Sequence, residues 1–190
     1  MIRKVVLSIA ICAISGAAHS QSISLFGFEI GKKLASVEGF TFVQEEADYF
    51  SYTARTSKNK EFLLQGIGIS KLSSTIVVVN AMAPYQSEAA CSRQMSEIVV
   101  QLNARYPGLT EKITEADGTV FHVLSQTRAN CSWKTTVGNT NLTMPCSSHF
   151  TVYCSGGRSL FLEASDTGYR EQAREEAKQF SLKSGRKQLD

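Results

Sequence analysis

The chain carries almost none of the signatures by which a chemistry is read from sequence. It has no G-x-S-x-G turn to present a nucleophilic serine, no H-E-x-x-H pair to hold a metal and no glycine-rich loop to cradle a phosphate. No two cysteines have the close spacing of structural zinc ligands. Histidine is scarce, three residues in all, and only His122 and His149 lie beyond the N-terminal stretch. No apolar run after the first twenty residues approaches the ~20 residues needed to span a bilayer. These absences imply no catalytic motif, no metal, no cofactor and no membrane span.

Excess charge is missing as well. Residues 1–20 read as a secretory signal peptide. Arg3 and Lys4 form the charged start, an apolar run of about ten residues follows, and Ala18-His19-Ser20 sets small residues at the cleavage site. Cleavage is expected between Ser20 and Gln21, sending the protein to the periplasm or the medium. Without Arg3 and Lys4, the 20 basic residues fall to 18 against 17 acidic ones, a net charge of +1. That balance gives no electrostatic case for nucleic acid.

Of five cysteines, Cys12 lies in the N-terminal signal stretch, and four remain beyond it, Cys91, Cys131, Cys146 and Cys154. An even number in an exported chain reads as two disulfides. Residues 131–154 organise the rest. With Gly138-Asn139 as a two-residue hairpin turn, Val137 falls opposite Thr140, Thr135 opposite Leu142, Trp133 opposite Met144 and Cys131 opposite Cys146. Those residues share one mostly apolar face, because strand side chains alternate. The register favours a Cys131–Cys146 bridge and leaves Cys91 for Cys154. A loop of about 16 residues closed in this way is worth roughly 3 kcal/mol. The chain continues as a meander, with Phe150, Val152 and Cys154 in phase, a turn at 155–158, and Leu160, Leu162 and Ala164 in phase on the next strand.

Upstream, residues 21–31 read as a strand facing Phe26, Phe28 and Ile30 inward. Strands are also expected near 40–43, 49–56, 61–70 and 74–82, the last being the most apolar, with a turn at 57–60. Pro84 is expected to open a helix that Pro107-Gly108 ends. Its stripe is Cys91, Met95, Ile98, Val99, Leu102 and Tyr106. Residues 110–118 read as a polar connection, 119–125 as a strand and 128–130 as a turn. Asp166 is a candidate N-cap for a second helix, 167–182, with Tyr169, Ala173, Ala177 and Phe180 on its inner stripe. Glu171 with Arg174, and Glu175 with Lys178, are spaced for ion pairs on it.

The fold class is therefore α+β, antiparallel meanders packed under two helices. Residues 21–183 form one disulfide-stapled domain, divisible into β-rich halves 21–108 and 109–183 that each end in a helix, and 184–190 form a flexible polar tail. A weak internal likeness aligns residues from Asn80 with residues from Glu163, matching Ala81 to Ala164 and Tyr85 to Tyr169 across a one-residue gap.

Three functions are weighed. The leading one is a non-enzymatic binding protein, an inhibitor or immunity-type partner of an envelope enzyme, with Glu45, Glu46 and Asp48 as a contact for a basic partner. The second is a small hydrolase using His149, beside Ser147 and Ser148, or His122, which shares a strand face with Val120 and Leu124. The third is an accessory of envelope assembly.

Overall fold

The structure, a computed structural model, describes residues 22–55, 62–137 and 140–187. The signal peptide, the turn expected at 57–60, Gly138-Asn139 and the last three residues of the tail lie outside them. The described chain runs as β1 (Ser24–Leu25), β2 (Phe28–Glu29), β3 (Thr41–Glu45), β4 (Tyr49–Arg55), β5 (Leu64–Ser70), β6 (Ile76–Pro84), α1 (Glu88–Arg105), β7 (Thr110–Ala116), β8 (Thr119–Val137), β9 (Thr140–Ser155), β10 (Ser159–Asp166) and α2 (Thr167–Lys187). The fold is α+β. Strands β3 to β10 make one eight-stranded antiparallel sheet, ordered β3-β4-β5-β6-β10-β9-β8-β7. Each half of the chain contributes four successive strands and then a helix, and the halves meet through their last strands, β6 and β10.

The pairing of β6 with β10 sets Leu162 against Ala81, Glu163 against Asn80 and Ala164 against Val79. Side-chain alternation then sorts the sheet into two faces. Leu160, Leu162 and Ala164 of β10, Val79, Ala81 and Ala83 of β6, and Phe150 and Val152 of β9 are buried on one face. Helix α1 lays its stripe of Cys91, Met95, Ile98, Val99 and Leu102 on that face, and all five are buried as the helical spacing predicts. The short β1–β2 arm covers the same core through Ile23, Leu25 and Ile30. Helix α2 crosses one end of the sheet, where Ala173 packs on Val77 and Val78 and Phe180 meets the Phe50 ring edge-on at 5.8 Å.

Several local expectations are corrected. Within the stretch 21–31, read as one strand, residues 24–29 form a hairpin, because Phe26 and Gly27 both take positive φ, 53° and 85°, as a tight turn requires. Pro84 ends β6 and does not start α1. The helix is capped instead by Ser87, whose hydroxyl accepts from the Ala90 N–H at 3.2 Å. The segment 110–118 is mostly strand β7, whose polar residues suit an exposed edge. The turn signal at 128–130 is spent on a bulge. Asn130 takes φ 57°, the register shifts between Thr127 and Ser132, and β8 runs on unbroken. Helix α2 extends into the stretch read as tail, through Lys187.

The hairpin register of β8 and β9 is the one read from the sequence, with Trp133 opposite Met144 and Thr135 opposite Leu142. Its apolar face is less covered than expected. Leu142 is 39% exposed and Met144 41%, because the hairpin runs past the part of the sheet that α1 shelters.

The disulfides join Cys91 to Cys154 and Cys131 to Cys146, at Cα separations of 6.2 and 5.3 Å. The first ties the helix of one half to a strand of the other. It spans 63 residues of sequence, the second 15. Chain entropy values the longer closure at about 4 kcal/mol and the shorter at about 3 kcal/mol. Replacing Cys91 and Cys154 by alanine is therefore expected to lower the unfolding free energy by more than replacing Cys131 and Cys146, as measured by urea denaturation of the two double variants.

Candidate functional site

The residues nominated from sequence are dispersed. In the acidic run, Asp48 is only 5% exposed and accepts from Arg170 Nε at 3.0 Å, so it is held inward and is not offered to a partner. Glu45 pairs with Lys71, whose ammonium also lies over the Phe50 ring, and Glu46 accepts from the Gln44 side chain. Glu45 and Glu46 alone remain at the surface. Short ion pairs fix acidic residues of α2 as its spacing predicts, Glu171 with Arg174 and Glu175 with Lys178.

The histidines do not assemble with a nucleophile. Ser148 Oγ donates to Asp166 Oδ2 at 3.0 Å on the core face, whereas His149 belongs to the opposite face of β9. No hydrogen bond joins His149 to a serine among the described residues. Burial lowers its pKa, opposed by the charge of Asp166. His122 Nδ1 meets Glu111 Oε1 at 2.5 Å and clips edge strand β7 to β8. All four cysteines of the described chain are bridged, which leaves no thiolate among them. Among the described residues no three His, Cys, Asp or Glu side chains cluster as a metal site.

Asp166 is a structural centre. Its carboxylate accepts from Arg128 Nη1, Ser148 Oγ and the Gly168 and Tyr169 N–H groups, at 2.9 to 3.3 Å, and so caps α2 as expected. The cavity beside it measures about 50 Å³. Ligand pockets are on the order of 300–1,000 Å³, so this one is too small for a metabolite.

The feature that sequence reading missed is the other face of the sheet, which neither helix covers beyond its end. Its side chains alternate with the core positions and are half-buried across β8, β9 and β10. They lie in cross-strand rows. One row is Phe121, Tyr153, Phe161 and Met82. The Tyr153 and Phe161 rings stack, 5.1 Å apart and 9° from parallel, and Phe121 tilts against Tyr153 at 4.7 Å. The next row is Thr151, Glu163, Asn80 and Gly66. Gly66 and Gly68 thin the floor of β5. A Cβ at Gly66 would fall on the Asn80 amide oxygen, and one at Gly68 on the Tyr49 ring.

Glu163 stands at the middle of this face. Burial raises its pKa, and the nearby charge of Arg170 offsets this only in part. Burial, and then the Glu163 charge, raise the Tyr153 hydroxyl as well. The sequence held a signal for the site. Phe161 and Glu163 are out of phase with Leu160, Leu162 and Ala164, and an aromatic residue on the polar phase marks a face that is not purely solvated.

No protein-family model and no curated protein matches the chain. No helix among the described residues is long and apolar enough to cross a membrane.

The Glu163 shift has a sign that can be tested. Below pH about 4.5, its ordinary value, the carboxyl is protonated whether the chain is folded or not. As pH rises past that value the unfolded chain ionises freely, while the folded protein holds the proton to a higher pH. Stability therefore falls through this window and stays lower above it. Glu163→Gln should show a stability advantage over the parent that grows from pH 4 to pH 7, read from urea midpoints. A constant difference would refute the assignment.

Proposed function

We propose that the chain is an exported binding protein. It engages another envelope or secreted protein through the helix-free face of its sheet, and it serves as an inhibitor or immunity-type partner of an envelope enzyme. The observation that carries this reading is the row of half-buried Phe121, Tyr153 and Phe161 on that face, with Glu163 beside it. Stacked aromatic rings on an open surface supply large contact area at small entropic cost, and such residues dominate protein interfaces. The face is broad and unenclosed, unlike the concave sites that hold small molecules. The two bridged cysteine pairs suit an oxidising compartment, and residues 1–20 supply an export signal. The hydrolase reading has less support, since Ser148 serves Asp166 and His149 belongs to the other face.

The test uses oxidised protein immobilised and exposed to envelope extract from its source. The parent is expected to retain one stoichiometric protein, and Tyr153→Ala with Phe161→Ala to retain less than a tenth as much, a loss of about 2 kcal/mol at an aromatic contact. Glu45→Gln with Glu46→Gln should retain the parental amount. Equal retention by the aromatic variant would remove this face as the site, and loss confined to the acidic variant would move the site to the acidic run. Retention by neither parent nor variant would remove the reading.

A further inference from the structure

The helix-free face also carries information about the chemistry of its partner. This step rests on the binding role proposed above. Glu163 is a half-buried carboxylate without a cation of its own. Its cross-strand neighbours, Thr151 and Asn80, are neutral. The nearby cation Arg170 is committed elsewhere. Its Nε donates to Asp48 at 3.0 Å, and its guanidinium lies 5.1 Å over the Tyr49 ring. Among the described residues no hydrogen bond or ion pair reaches the Glu163 side chain. A carboxylate in this setting is costly to leave alone and attracts a cation strongly, because solvent screening is reduced.

The neighbouring groups fit a particular cation. Two residues along β10 from Glu163, and so on the same face, Phe161 stacks with Tyr153, which places the ring pair in the row next to the carboxylate. A planar guanidinium can lie on an aromatic ring and donate two parallel hydrogen bonds to a carboxylate, which a compact ammonium does less well. The same fold uses this pairing twice internally. Arg128 lies 4.9 Å over Tyr169 while bonded to Asp166, and Arg170 lies over Tyr49 while bonded to Asp48. In both, one aromatic ring and one carboxylate hold one arginine. Glu163 with Tyr153 and Phe161 has the ring and the carboxylate, and among the described residues no arginine is bonded to it, Arg170 acting there only through its charge.

We infer that Glu163, Tyr153 and Phe161 form a receptor for an arginine side chain projected by the partner protein, with the guanidinium over the stacked rings and paired to the Glu163 carboxylate. The interaction supplies specificity on an otherwise apolar contact, since a partner with a neutral or acidic residue there leaves Glu163 buried and unpaired.

The test titrates the full oxidised chain with acetyl-arginine amide and with acetyl-citrulline amide, a neutral isostere, and follows backbone NMR signals. The arginine probe is expected to shift the signals of residues 151–163 at millimolar concentration, and the citrulline probe to bind at least tenfold more weakly. Glu163→Gln, which is expected to fold at least as stably as the parent, should lose the arginine preference. Equal response to both probes, a response confined to Asp48 and Glu46, or an unchanged preference in Glu163→Gln would overturn the inference. So would a dimer in sedimentation that Phe161→Ala dissolves, because a second copy would then occupy the face. Capture from extract separates this step from the one beneath it. Retention lost in the aromatic variant and kept in Glu163→Gln leaves the binding face standing and removes the arginine receptor. Retention kept in both variants removes both.

Discussion

The pairing of β6 with β10 is the constraint on which the rest of the molecule depends. It is the only junction between the two four-stranded runs in the sheet order, and it holds seven residues of each strand in register. Because side chains alternate, that register decides at once which residues are dry and which are not. Val79, Ala81 and Ala83 fall with Leu160, Leu162 and Ala164 beneath α1, and Asn80 and Met82 fall with Glu163 and Phe161 on the uncovered side. A slip by one residue would drive Glu163 under the helix. Alanines 81, 83 and 164 are buried in that core, and the Cys91–Cys154 bridge fixes α1 to β9.

Much of this was legible in the sequence because it obeys a single period at a time. The α1 stripe repeats at helical spacing, and the hairpin of β8 and β9 has a register that keeps its faces apart, so the pattern favours Cys131 with Cys146 and leaves Cys91 for Cys154. Asp166 announced itself as a cap because a short acidic side chain precedes a helical run. Failures came where one residue type serves two purposes. Pro84 suits the first turn of a helix and equally the end of a strand, and the serine three residues later settled the matter. Asn130 suits a turn and equally a bulge, since both accept a positive φ. Residues 110–116 look like a loop because an edge strand is polar on both sides.

The candidate site was hidden for a different reason. No pattern in one strand shows that a face will lack a cover. The stacking of Tyr153 on Phe161 and the approach of both to Glu163 require knowing that β9 and β10 are neighbours and that both helices have been spent elsewhere. The nominated acidic run is narrowed by a contact that one strand does not show. It looked like a free charged surface, but a basic residue distant in sequence, Arg170, reaches Asp48 and closes that part of it.

The bridge between Cys91 and Cys154 has a consequence for how the protein meets proteolysis. The connection from α1 to β7 passes through Pro107 and Gly108 at the surface, the sort of exposed link that proteases cut. A cut there breaks the chain between its two halves without parting them, since the first half's helix stays covalently fastened to the second half's strand. The nicked molecule keeps the β6–β10 pairing as well as the bridge, so parting the fragments takes both unfolding and a reductant. The disulfide thus acts as insurance against hydrolysis at the one place where the halves are joined by backbone alone.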